Sequence, residues 1–436
     1  MGGLGGLALL LALQGMVSPP QADTDSLPQV TLVEALQRAA RLDPNYVSAI
    51  GQVDNAVWAR RNAFAVFVLP SISLATTATR SNPPFFNFGT LRPEKYSVQS
   101  TISASYDLFT GGQKVAELTR SGAALESAHA GELKQRFATA LLTESDYYAV
   151  LAATELDRVA TDRLRRARQQ LAVARARVSS GAAVQTDSLN LRLELNRAQV
   201  AQLQQQSALR VARLELGRRV GAAGPVDAAP LDSTPAPELP IALADAITQA
   251  AAQGPEYRQV AAEERAAAAA YRSRLGAYLP HATVTWSGVG FDNKFVPSGA
   301  KFTQLSLGVS FPLWDNGRRE LALSQARVSR DVARAVRDDM QRAVQHDVTA
   351  AYDTYVTTRT TAELAQQGLA VARESFRVQQ TRYQSGATTI LDLLDAEVNL
   401  SQAEADLVQA RYGTRLALAG LESILGKRLF TDKGTP

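Results

Sequence analysis

Proline is absent from Glu94 to Gly224 and again from Leu313 to Thr435. Inside a helix proline removes a backbone donor and clashes with the preceding turn. Proline-free tracts rich in Ala, Leu, Arg, Gln and Glu are therefore free to run as very long helices. The spacing predicts helices from Gln113 to Ser180 and from Arg318 to Ser385, each about 100 Å long at 1.5 Å per residue. No single-domain core is that wide, so such helices imply coiled-coil packing. Within the last tract one stripe runs Leu391, Leu394, Val398, Ser401, Ala405, Val408 and Tyr412. A second runs Leu393, Ala396, Leu400, Ala403, Leu407, Ala410, Thr414, Ala417 and Leu421, also in steps of three and four. Two seams displaced around one helix let it pack against neighbours on both sides, and helices of that kind can close into a tube. A solvated four-helix bundle is the plainer reading, but small Ala at alternate seam positions favours close flanking contact.

The tracts are two copies of one pattern. Leu32-Val-Glu-Ala-Leu36, followed by Asp43-Pro44, recurs as Leu243-Ala-Asp-Ala-Ile247, followed by Gly254-Pro255; Leu69-Pro70 recurs as Leu279-Pro280. Asp107-Leu-Phe-Thr-Gly-Gly112 matches Pro312-Leu-Trp-Asp-Asn-Gly317, and Ser180-Gly181-Ala182 matches Ser385-Gly386-Ala387, both 205 residues on. Each copy reads short helix, long helix, strand, loop, strand, long helix, Gly turn, long helix. The expected organisation is a signal peptide over 1–22, a first repeat over 23–220, a Pro-rich linker over 221–240, a second repeat over 241–426 and a C-terminal tail over 427–436. The apolar stretch near Leu4 to Leu13 is too short to span a bilayer and suits an export signal. No other segment approaches 18 consecutive apolar residues, so a chain like this crosses a membrane only with strands.

The short segments between the helices are suited to that. From Tyr96 to Leu108 even positions carry Tyr, Val, Ser, Ile, Ala, Tyr and Leu, while odd positions are Ser, Gln, Thr or Asp. Leu305, Leu307, Val309, Phe311 and Leu313 alternate with Gln304, Ser306, Gly308 and Ser310; Ala282, Val284 and Trp286 alternate with Thr283, Thr285 and Ser287; Ile72 and Leu74 begin a fourth. Period-two strands of about 10 residues, almost uncharged and polar on one face with Ser, Thr and Gln, fit lipid on one side and a wet lumen on the other. Four strands cannot close around a channel, so several chains must contribute.

These marks, in this order and in duplicate, resemble the outer membrane efflux protein (TolC-like) family from about Leu32 to Gly426. Tyr383-Gln-Ser-Gly386 and Ile390-Leu-Asp-Leu-Leu-Asp395-Ala add to the match. The resemblance implies a mainly α fold with transmembrane β: a homotrimer whose chains each give four strands to one twelve-stranded outer-membrane β-barrel and long helices to a periplasmic α-barrel. It implies an exit duct of a tripartite efflux or type I secretion system, set in outer-membrane lipid, partnered by a periplasmic adaptor and an inner-membrane pump. The helix-turn tips at Gly181 and Gly386 would meet the adaptor. Positions matching Asp392 and Asp395 line the family's closed aperture, and those matching Tyr383, Thr186 and Asp187 join the hydrogen bonds that hold it shut. An Arg anchors those links in one member; Thr388 stands there instead, so a closed state needs another latch or the aperture rests looser.

Chemistry by catalysis finds no foothold. His129, His281 and His346 are far apart in sequence, Cys is absent, and no phosphate loop or nucleophile motif occurs, so no enzyme, cofactor or metal is expected. A formal charge of only +4 gives no broad polyanion surface. The run Arg163, Arg165, Arg166 and Arg168, with Arg175 and Arg177, lacks interleaved aromatics and reads as a solvated coiled-coil face rather than a nucleic-acid site. Asp392 and Asp395 share one face near a helix start, where a ring of carboxylates from several chains would favour cations, or where each merely complements the helix dipole. A secreted or periplasmic coiled-coil scaffold or adaptor without a pore is the other reading of the same chain.

Overall fold

The computed structural model describes residues 27–87, 91–231, 236–292 and 301–430. The expected signal peptide lies outside them, as does most of the C-terminal tail. A short strand, β1 (Gln29–Val30), leads into α1 (Leu32–Leu42). Asp43 ends that helix and starts α2 (Pro44–Val68): its carboxylate accepts from the Asn45 and Tyr46 amides at 2.9 Å, and Pro44 takes the first position, where no donor is needed. Strands β2 (Ser71–Asn87) and β3 (Arg92–Phe109) follow, then α3 (Gln113–Ser179) and α4 (Gln185–Arg219). The second repeat runs α5 (Leu243–Gln253), α6 (Pro255–Gly276), β5 (His281–Asp292), β6 (Lys301–Ser310), α7 (Arg318–Gln384) and α8 (Ile390–Leu425). The two long helices are 67 residues each and start 205 residues apart.

Gly111 and Gly112 sit at φ +62° and +82° between β3 and α3, a left-handed turn that a side chain would strain. A Cβ on Gly111 would lie 2.2 Å from the Gly276 carbonyl, so this glycine also lets the end of α6 approach.

Backbone pairing orders the sheet β2-β3-β5-β6, antiparallel throughout. The register aligns the two faces across all four strands. Ile72, Ala104, Trp286 and Leu305 stand opposite one another in turn, as do Ser73, Ser103, Ser287 and Gln304. The apolar row is open, with Ile72, Leu74, Leu305 and Leu307 between 66% and 74% exposed. Two strand expectations need correction. The first hairpin is longer than about 10 residues, at 17 and 18, and its register shifts between Arg80 and Phe85 around Pro83-Pro84, which cannot donate to the ladder. The strand expected to reach Leu313 stops at Ser310 ahead of Pro312, so Phe311 and Leu313 extend the apolar surface outside it.

Next to the sheet, α2, α3, α6 and α7 lie side by side; further away the order becomes α4, α3, α8, α7. Between the two zones a second layer covers the long helices. There β1 pairs in parallel with β4 (Asp227–Ala228), a two-residue strand in the stretch expected to be only a linker. Val30, Ala35, Val226 and Ala228 pack on Tyr147, Val150 and Leu151 of α3, and the Tyr147 hydroxyl donates to the Ala229 carbonyl at 2.7 Å. Opposite, α5 packs on α7 and α8 through Ala246, Ala250, Val348 and Leu421.

The two seams of α8 part company over its first turns, before Val408 of the outer seam is buried. Leu393, Ala396, Leu400 and Leu421 are buried within the chain, whereas Leu391 and Val398 of the other seam stay exposed. Leu364, Val371 and Val378 on α7 and Leu193, Val200 and Leu214 on α4 repeat at multiples of seven and are likewise exposed. Among the described residues, these apolar rows of α4, α7 and the start of α8 remain uncovered within one chain.

Candidate functional site

Beyond the covering layer, the hairpins α3-α4 and α7-α8 end in matched turns. Gly181 and Gly386 take φ +75° and +78°. Arg177 and Arg382, 205 residues apart, each reach the carbonyl two residues past the turn's serine, Ala182 at 3.3 Å and Ala387 at 3.5 Å. Leu171, Leu191, Leu369, Phe376, Leu393 and Leu400 form the apolar base on which both tips rest.

Above that base lies a cavity of about 380 Å³ that brings together Arg177, Thr186, Asp187, Tyr383 and Gly386 with the start of α8. Tyr383 is buried, and its hydroxyl donates to Asp187 Oδ2 at 3.4 Å. Burial first, and then the Asp187 carboxylate, push the Tyr383 hydroxyl above its ordinary pKa, so it remains a donor. Arg177 crosses from the other hairpin: Nη1 donates to the Tyr383 carbonyl, and the guanidinium lies 4.9 Å from the centre of its ring. Thr186 is exposed beside Asp187 without a described bond to Tyr383.

Asp187 and Asp392 occupy equivalent positions of the two repeats, yet their partners differ. Asp392 completes a capping box: its Oδ2 accepts from the Thr389 amide at 3.1 Å and from the Thr388 and Thr389 hydroxyls at 2.7 Å. The hydroxyl of Thr389, then that of Thr388, then the Thr389 amide hold the Asp392 carboxyl below its usual pKa. In the first repeat Val184 and Ala183 replace these threonines, and α4 has no side-chain cap. Without hydroxyls of its own, Asp187 takes the Tyr383 proton donor instead. Asp395 is exposed one turn further on, 3.4 Å from Asn399 Nδ2.

The sequence reading missed Arg177, which it assigned to a solvated face. Its signal was position: three residues before Ser180, with a duplicate at Arg382. Two other arginines of that run also point inward. Arg163 Nε lies 3.0 Å from the buried Glu194, and Arg166 joins Glu397 at 2.8 Å and Glu404 at 3.4 Å across the α3-α8 junction. Gln170 adds a second donor to Glu397, whose carboxyl burial pushes up against the pull of Arg166. Arg165 and Arg168 do face solvent. Heptad phase explains the split, since residues three apart return to one face and the intervening ones do not.

A family model described as outer membrane efflux protein matches residues 35–222 and 246–427, one stretch per repeat. The pyoverdine export outer membrane protein OpmQ of Pseudomonas aeruginosa is 27% identical over 77% of this chain and 71% of its own length. Among solved structures, the outer membrane protein VceC of Vibrio cholerae superposes with a TM-score of 0.77 at 18% identity, covering 92% of this chain and 97% of that one. The CmeC outer membrane channel of Campylobacter jejuni gives 0.78 at 14% identity over 92% and 87%. The duplicated helices, the two-faced sheet and the model match across both halves lead to one assignment: this chain belongs to the outer membrane efflux protein family.

Proposed function

We propose that three copies of this chain close into one continuous tube, an outer-membrane β-barrel seated on a periplasmic α-barrel, as the passive exit duct of an efflux system. The observation that carries this reading is the pair of open borders. Among the described residues the outer strands β2 and β6 have no second neighbour, and the same borders continue as α2 and α4 on one side and α7 on the other, each with exposed apolar residues. Joining β6 and α7 of one chain to β2, α2 and α4 of the next satisfies both edges with one repeating contact that closes as a ring. The apolar sheet face then meets lipid, and the Ser, Thr and Gln face lines the lumen. A pore-free scaffold leaves that apolar face in water.

At the far end, Tyr383, Asp187, Thr186, Asp392 and Asp395 form the periplasmic aperture in this reading, with Arg177 as the latch that Thr388 cannot supply. The latch works inside a chain. The repeat equivalent of Tyr383 is Val178, so the corresponding junction between chains offers Arg382 neither a ring nor a hydroxyl. The Gly181 and Gly386 turns present the tips to a periplasmic adaptor, and an inner-membrane pump supplies the energy. Fractionation, detergent extraction and planar-bilayer recording test the reading: a detergent-dependent trimer with discrete conductance supports it, and a water-soluble monomer without conductance overturns it.

A further inference from the structure

We infer that a groove between α2, α3 and α6, just below the sheet, binds the phosphate headgroup of an anionic phospholipid from the periplasmic leaflet. The inference rests on the outer-membrane reading, because that reading sets where the leaflet lies.

The groove encloses about 990 Å³. Its floor is apolar, from Val57 and Phe64 on α2 to Leu118 and Leu125 on α3 and Ala268 on α6. Four arginines border it, Arg60, Arg61, Arg265 and Arg272, against the single carboxylate of Glu126. That carboxylate is committed, since Arg265 lies 2.8 Å from it. Arg61 covers the Trp58 ring at 5.1 Å. Arg60 and Arg272 are exposed and have no hydrogen bond or ion pair among the described residues. Two uncommitted guanidiniums beside apolar surface suit an amphiphile with a negative head, since guanidinium pairs with phosphate through two parallel bonds.

Depth agrees with that occupant. Val57 to Phe64 lie about 6–17 Å before the end of α2, at 1.5 Å per residue, and Arg265 to Arg272 lie at the same distance from the end of α6. The exposed apolar surface begins directly above, with Leu69, Leu313 and Trp314. Arg60, Arg61 and Arg265 occupy the deep end, and Arg272 lies level with Phe64, about 6 Å nearer the sheet than Arg60, so the head sits between the arginines of α2 and α6 with its chains rising past Phe64 and Leu118 toward the bilayer.

The outward side follows from heptad phase. Thr119 and Glu126 in the groove are in step with Tyr147, and Ala123 with Leu151; Tyr147 and Leu151 lie under the layer of α1, β1 and β4. In a coiled coil, residues at multiples of seven share a face. The groove therefore opens on the side of the helices that carries this extra layer, the outside of a tube.

The test is native mass spectrometry of the detergent-purified oligomer after exposure to phosphatidylglycerol, phosphatidylethanolamine or inorganic phosphate. Phosphatidylglycerol should be retained over phosphatidylethanolamine, and Arg60→Gln with Arg272→Gln should weaken its retention about 30-fold, with about one decade or less attributable to each basic residue. Phe64→Ser, which keeps the charges, should lower lipid retention too. Equal retention of the two lipids, an unaltered double variant, or displacement by millimolar phosphate would each overturn the inference. Oligomer mass checks that the variants assemble, and conductance of the wild-type protein tests the duct separately, so the two failures are distinguishable.

Discussion

Replacing Arg177 by Ala removes two contacts that hold one hairpin to the other. One is a charge-assisted hydrogen bond to the Tyr383 carbonyl, of a kind worth about 1.5–3 kcal/mol when sheltered and less at a half-exposed site. The other is the guanidinium over the Tyr383 ring, about 0.5–1 kcal/mol near solvent. Together they come to about 2 kcal/mol per chain. If both are lost when the tips part, the closed-to-open ratio of a protomer falls about 30-fold at 1.4 kcal/mol per decade. Tyr383→Phe removes only the hydroxyl bond to Asp187, which at 3.4 Å is near the outer limit of such bonds. It should cost about 0.5 kcal/mol, a factor of about two. Single-channel recording is the assay, with Arg177→Lys, which keeps the charge but not the planar fork, falling between. Conductance and open time should rise in the order Tyr383→Phe, Arg177→Lys, Arg177→Ala. The reverse order, or an Arg177→Ala trimer that conducts like the wild type, would refute the latch.

Three further perturbations follow from the geometry. Asp395→Asn should weaken block by multivalent cations more than Asp392→Asn, because the Asp392 carboxylate already caps its own helix; equal effects in bilayer recordings would argue for a shared ring. Since its hydrogen bonds lower the folded pKa of Asp392, the stability they contribute is present above the ordinary carboxylate value of about 3.9 and is lost as pH falls through the depressed one. Hydrogen exchange, corrected for its intrinsic pH dependence, should show the first turn of α8 loosening over that acid range in the wild type and no such titration in Asp392→Asn. Gly112→Ala should cost about 1–2 kcal/mol from left-handed backbone alone, as nothing lies within 4 Å of the added carbon, whereas Gly111→Ala adds a collision with the Gly276 carbonyl. Heat-resistant trimer yield should therefore fall further for Gly111→Ala, and equal yields would show that α6 does not depend on this approach.

Much of the architecture could be read from patterns along the chain. Proline-free tracts announced the 67-residue helices and the duplicated glycine turns bounded them to within a residue, alternation separated the two faces in the four strands of the larger sheet, and the 205-residue repeat located both tip glycines. Even the different fates of Asp187 and Asp392 were present in the sequence, in Val184 and Ala183 against Thr389 and Thr388, for a reader who aligned the repeats at that point. Arg177 was not legible in the same way. Its heptad phase placed it on a face of α3, but the Tyr383 carbonyl comes opposite only because α3 and α7 have one axial register. The same holds for Arg166 with Glu397 and for the strand formed by Asp227 and Ala228. Periodicity is local and fixes the face a side chain presents; the residue that meets it depends on how two distant segments slide against each other, which buried contacts decide only once the chain has folded. The sequence by itself thus determined long two-seamed helices, a two-faced sheet and glycine turns at the tips. Only the tertiary structure decided which arginine closes on which tyrosine and which helix and strand faces stay exposed.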